Sequence, residues 1–148
     1  MNKEYPYPQS GNLVILGAGE SGVGAAILGK AKGFHVWVSD AGKIAEKYKE
    51  ILREEEIEFE EGGHTEKRVF QGDLIIKSPG IPPTVPMIKA LYDAGKIIIG
   101  EIEFAAQYTS AKIIGIRGSN GKSTTSMLTY TILKDAGLNV GLAGNIGN

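Results

Sequence analysis

Cysteine is missing from this 148-residue chain. Its absence excludes disulfides, thiolate nucleophiles and thiolate metal sites. Histidine is nearly missing: His35 and His64 have no second histidine or cysteine at ligand spacing, and both read as structural. No apolar run approaches the ~20 residues of a membrane span. The opening residues, 1–8, carry no signal-peptide core. An excess of either charge is also lacking. The net charge of −1 draws the chain neither to nucleic acid nor to an anionic membrane surface. A soluble cytoplasmic protein is the reading these absences leave.

Glycine is what the chain has in excess, 21 residues of 148, about twice the usual ~7%. Much of the excess falls in two turns. The more informative is Gly118-Ser119-Asn120-Gly121-Lys122-Ser123-Thr124. An apolar, β-branched run at 112–116 precedes it, and a helical pattern at 125–136 follows. Strand, glycine turn, lysine, hydroxyl and helix form the order that a nucleoside-triphosphate phosphate site needs. Glycines let backbone N–H groups turn onto phosphate oxygens, and the helix N-terminus adds positive potential. Lys122 can bridge the terminal phosphates, and the Ser123 hydroxyl can reach a phosphate-bound magnesium. The strict P-loop has four residues between its glycines. Ile116 occupies that first position here, so only the shorter Gly-x-x-Gly-Lys-Ser fits.

The second turn is Gly17-Ala18-Gly19-Glu20-Ser21-Gly22. It follows a buried-strand pattern at 13–16 and precedes a helical run at 23–32. Another strand pattern spans 35–39, with Asp40 at its end. This is a complete dinucleotide-type unit, with an acid about 20 residues beyond the turn to take ribose hydroxyls. It indicates a nucleotide-shaped ligand without saying which. Asp40 is equally readable as the N-cap of the next helix.

Strand and helix signals alternate along the chain, which predicts an α/β fold with a parallel sheet covered by helices. After Asp40 a helix is expected over 43–55, a strand over 57–60 and a buried strand over 74–76. A rigid turn, Ser78-Pro79-Gly80-Ile81-Pro82-Pro83, follows. A helix over 86–94 starts at Pro86; a strand over 97–99 and a short helix over 101–108 complete the pattern. Gly80 lies past a strand's carboxyl end, where α/β ligands bind; a plain proline turn explains it equally well. The acidic run Glu54–Glu56 with Glu58, Glu60 and Glu61 reads as a solvated face. Trp37 reads as core. A boundary near 109–111 gives two domains, a Rossmann-like one over 1–110 and the beginning of a P-loop-type one over 111–148. The latter holds one strand, one helix and the start of another strand at 140–143. Such a sheet needs more strands to be buried on both faces, so a fragment of a longer protein is expected. Asn145, after the 140–143 strand, could offer its amide to a ligand.

These segments together resemble the Mur ligases of peptidoglycan synthesis. The resemblance runs through VILGAGESG, Asp40, KSPGIP, GEIEF, GIRGSNGKSTT and GLNVGLAGNIG, nearly the whole chain. GSNGKST marks the superfamily; the SPGI turn, GEIE and GNIG point to its glutamate-adding branch. Two positions depart from the pattern: Arg117, where a small hydroxyl usually precedes the glycine, and Glu20, a carboxylate in a turn expected to face a diphosphate. The resemblance implies a three-domain enzyme. ATP would phosphorylate the carboxylate of UDP-N-acetylmuramoyl-L-alanine, and D-glutamate would attack the acyl phosphate. By position, Gly19, Glu20, Ser21, Asp40 and Gly80 would hold the UDP moiety, and Asn145 the muramoyl end. Gly118, Ser119, Asn120, Gly121, Lys122, Ser123 and Thr124 would hold the ATP phosphates. Lys122 would stabilise charge on the transferring phosphoryl, and Ser123 would ligate Mg. The family's remaining metal ligands would lie beyond Asn148, so this chain alone would bind UDP without turnover. Two other readings compete: a nicotinamide-dependent dehydrogenase, which leaves GSNGKSTT unexplained, and a nucleotide-binding module without activity.

Overall fold

Four short apolar runs and one alternating run supply the strands. They are β1 (Asn12–Leu16), β2 (His35–Asp40), β3 (Glu58–Glu61), β4 (Leu74–Lys77) and β5 (Ile98–Ile99). In the computed structural model, which describes residues 7–144, they form one sheet in the order β3-β2-β1-β4-β5. Every pairing is parallel, with Leu16 level with Ser39 on one side and Lys77 on the other. Parallel neighbours require crossovers, and helices supply them. The order is that of a dinucleotide-binding sheet, with its direction of growth reversing between β1 and β4.

Alternation along the central strands sorts side chains to two faces. Leu13 and Ile15 point to the face covered by α1 (Glu20–Ala31), α2 (Glu46–Glu54) and α5 (Glu101–Ala106). Val14 and Leu16 point to the face covered by α3 (Glu66–Val69) and α4 (Pro86–Asp93). Both faces are apolar, as a parallel sheet buried on two sides demands. Phe104 of α5 meets Phe34 and Tyr108 edge-on, with centroids 5.9 and 5.3 Å apart. Trp37 is in the α3–α4 core, as its sequence position suggests, with the Arg68 guanidinium 4.6 Å above its ring.

Two expectations shift. The helix expected from residue 43 begins at Glu46, because Ile44 is buried and its N–H is bound by Glu61 in an extended loop. The helix expected from residue 23 begins at Glu20, which places Glu20 and Ser21 in its first turn.

The chain divides after Thr109 into two compact units, and the sheet belongs to the first. The second contains one regular element among its described residues, α6 (Lys122–Asp135). The strands expected over 112–116 and 140–143 are not formed. A strand exists only when a neighbour takes its N–H and C=O groups, and no neighbouring strand is described in this unit. Ile113 and Ile114 are exposed in consequence, and no side chain of α6 is buried.

Candidate functional site

The glycine turn of the first unit joins β1 to α1 across a distance that only glycine allows. Gly17 has φ +104°, and a Cβ there would lie 2.9 Å from Ser78 Cβ. A Cβ on Gly22 would lie 2.0 Å from the Gly17 carbonyl oxygen, so the helix start abuts the strand end. Gly19, between them, faces open space. Close packing at the first and last glycines and an open middle one fit a turn whose backbone meets a phosphate. Gly19 is also the N-cap of α1 and offers no side-chain bond to the helix N–H groups.

Asp40 closes this turn. Its Oδ2 accepts the Ala18 N–H at 2.7 Å and its Oδ1 accepts the Gly42 N–H at 2.8 Å. The alternative helix-cap role fails, because Ala45 is the N-cap of α2. Each carboxylate oxygen keeps a further acceptor position. Ser21 Oγ donates to Glu101 Oε1 at 3.1 Å, and Glu101 is buried at the start of α5. Glu20 is exposed. Gly80 is exposed in a turn that Lys77 closes, its Nζ donating to the Ser78 and Ile81 carbonyls at 3.1 and 2.7 Å. Gly19, Glu20, Ser21, Asp40 and Gly80 therefore all lie at or just past the carboxyl ends of β1, β2 and β4. Asn145 lies outside the described residues.

Several residues that the sequence did not assign to a site belong to this edge. Glu101 partners Ser21. Ser39, fully buried, donates to Glu60 Oε1 at 2.7 Å and lies 2.6 Å from His64 Nδ1. Glu60 also accepts the Thr65 N–H and hydroxyl at 2.6 and 2.7 Å. Burial pushes the Glu60 carboxyl up, but the bonds from Thr65 and Ser39 and the neighbouring His64 outweigh it and hold its pKa below the ordinary range. Glu61 binds the Ile44 N–H at 2.8 Å and Lys49 at 3.3 Å. Glu60 and Glu61 are thus tethered, not merely solvated. Among the described residues no group of three or more His, Asp or Glu side chains is placed to hold a metal ion.

A cavity of about 710 Å³ lies at the opposite, amino end of the strands, beside Asn12, His35 and Lys96. The carboxyl end is the better ligand site, because the glycine turn and the start of α1 converge there.

In the second unit Gly121 is the N-cap of α6, with φ +73° and no side-chain bond to the helix N–H groups. Lys122 begins the helix, and its Nζ donates to the Gly118 and Ser119 carbonyls at 2.7 and 3.2 Å. Ser119, Asn120, Ser123 and Thr124 are exposed around it. A left-handed glycine, uncapped helix N–H groups, an ammonium and two hydroxyls at one helix start suit a phosphate chain and its cation.

Residues 12–87 match the MurD N-terminal domain family. Over 135 residues the chain is 58% identical to a UDP-N-acetylmuramoylalanine–D-glutamate ligase of Bacteroides fragilis, covering 91% of this chain and 30% of that protein. A ligase of the same name from Christiangramia forsetii is 52% identical over 136 residues, 92% of this chain and 31% of its own. Among solved structures, a murein peptide ligase from Psychrobacter arcticus superposes with a TM-score of 0.62 at 27% identity, over 85% of this chain and 27% of that one. The chain thus spans about 30% of the length of these curated relatives. No helix among the described residues is long and apolar enough to cross a membrane.

Proposed function

The chain belongs to the MurD N-terminal domain family, and on that premise we propose that it is the nucleotide-binding part of an ATP-dependent, cytoplasmic ligase that joins D-glutamate to UDP-N-acetylmuramoyl-L-alanine. The carrying observation is the turn at the end of β1, with Asp40 bound to the Ala18 N–H and Gly19 open to solvent. The uncapped N–H groups at the start of α1 take the diphosphate. Asp40 retains acceptor capacity for ribose hydroxyls. Ser21 and Gly80 border the same edge, and Glu20 turns to solvent. Asn145 keeps its assignment to the muramoyl end from the sequence resemblance alone, since it lies outside residues 12–87 that match the family.

In the second unit, Gly118 through Thr124 are assigned to the phosphates of ATP. The phosphoryl group of ATP, with Mg, supplies the activation of the substrate carboxylate. Lys122 breaks its bonds to the Gly118 and Ser119 carbonyls and sets its ammonium against the transferring charge, where the interaction is strongest in the transition state. Ser123 offers its hydroxyl to the cation. The match of residues 12–87 to the MurD N-terminal domain family weighs against the dehydrogenase reading, which also leaves GSNGKSTT without a role.

Calorimetric titration of the full-length protein with UDP and with NAD tests the assignment. UDP is expected to bind and NAD not to. Tighter binding of NAD overturns it.

A further inference from the structure

We propose that Glu101 is a positioning residue that sets what the Ser21 hydroxyl can offer, and that it takes up a proton when a diphosphate reaches the start of α1; this rests on the reading that the turn after β1 holds that diphosphate. Ser21 has one hydroxyl proton, and in this structure it goes to Glu101 Oε1 at 3.1 Å. What Ser21 turns to an incoming anion is therefore lone pairs. A phosphate oxygen brings only acceptors, so the two oppose each other. The hydroxyl serves the anion only by withdrawing its proton from Glu101.

Glu101 has little to replace that bond. It is 8% exposed, and Ser21 supplies its one side-chain hydrogen bond among the described residues. Asp40, by contrast, is held by two backbone N–H groups, and Glu60 by Thr65 and Ser39. The charged groups around Glu101 do not stand in for Ser21. Glu20 beside Ser21 on α1 and Glu103 on α5 are acids themselves, and Glu103 is engaged by Tyr7 of the amino-terminal segment. Lys77, at the end of β4, lines the same cavity of about 370 Å³ as Glu101, but its Nζ is already bound to the Ser78 and Ile81 carbonyls. A buried carboxylate that loses its donor beside an arriving negative charge is driven to its neutral form. The neutral carboxyl carries the hydrogen that the arrangement lacks. Glu101 then donates to Ser21 Oγ, and Ser21 donates to the phosphate, so the bond between the two residues survives with its direction reversed. The cavity beside Glu101 gives a solvent proton its way in.

The test is calorimetry of UDP-N-acetylmuramoyl-L-alanine binding to the full-length protein in buffers of different ionisation enthalpy, which counts the protons taken up. The diphosphate of this ligand is a diester, so the free ligand has no group titrating near neutral pH. Wild type is expected to take up a fraction of a proton that grows as pH falls from about 8 to about 6, with affinity rising about three- to tenfold over that range. Glu101→Gln, whose amide donates to Ser21 Oγ at any pH, should take up none, lose the pH dependence and bind about three- to tenfold more tightly than wild type at about pH 8. Ser21→Ala should weaken binding about five- to tenfold at about pH 6 and flatten the same dependence. Binding by wild type without proton uptake, or uptake that persists in Glu101→Gln, overturns the proposal and leaves the Ser21 bond a structural one. Weaker binding by Glu101→Gln across the whole range does the same. If wild type does not bind this ligand at all, the reading of the β1 turn fails, and this proposal with it.

Discussion

Leu74-Ile75-Ile76 and Ile113-Ile114 are nearly the same chemistry, yet the first run is fully buried in the middle of a sheet and the second is exposed coil. The difference is partners. β4 has β1 on one side and β5 on the other, with helices over both faces. The 112–116 run has no ladder among the described residues, and α6 beside it in sequence leaves Met127, Leu128 and Ile132 exposed. β-branched composition makes a strand possible; a neighbour makes it real. The first unit therefore carries its own core, and the second has local structure only where a helix satisfies itself.

The sharpest way to break that contrast is to cut matched side chains. In the 148-residue chain, Leu74→Ala should cost about 2–5 kcal/mol of unfolding free energy, whereas Ile114→Ala should change it by less than about 0.5 kcal/mol. Denaturant titration of both variants measures this, and a comparable loss in each would mean the second unit has a core. The contrast extends to function. On the proposed function, Lys122→Ala in the full-length protein should lower kcat by roughly 10²–10³ while affinity for the UDP substrate barely moves. Lys122→Arg should rescue poorly, because a fork replaces a point charge. Steady-state kinetics beside calorimetry separates the two quantities, and a kcat within threefold of wild type would remove the phosphate-loop assignment. Asp40→Ala should do the reverse, weakening UDP by about 1–3 kcal/mol as the Ala18 and Gly42 N–H groups lose their acceptor. Its kcat at saturating substrate should be little changed.

The smallest effect is one of pH. The Ile44 N–H bond and Lys49 hold the Glu61 carboxyl below its ordinary 4.5, against a smaller opposing push from burial. A carboxylate with a depressed folded pKa adds stability that is complete above the unfolded value and is lost as pH falls through the folded one. The first unit should thus weaken as pH drops below about 4.5, and Glu61→Gln should flatten that slope in thermal melts taken from pH 6 to pH 3. Identical slopes in the two proteins would show that the Ile44 contact contributes nothing to it.

The architecture was legible because parallel α/β sheets write themselves as short apolar runs between turn signals. The glycine turn and Asp40 were legible because one local unit contains them. Glu60 and Glu61 were not. Apart from Thr65, five residues from Glu60, nothing local marks them off from Glu54–Glu56, since their partners Ser39 and Ile44 lie 21 and 17 residues away. Only the register that sets Ser39 level with Glu60 creates the pairing. Glu101 was hidden for the same reason, being 80 residues from Ser21. The strands expected in the second unit failed because the apolar pattern reports what a segment can do, and not whether its neighbour is present.

Gly22 stands so near the Gly17 carbonyl that any side chain at position 22 would force β1 and α1 apart at their junction. On the proposed assignment, the amide groups at the start of α1 would meet a diphosphate at a junction that leaves no room for a side chain, so the cost of ordering on association would fall mainly on the pyrophosphate and sugar.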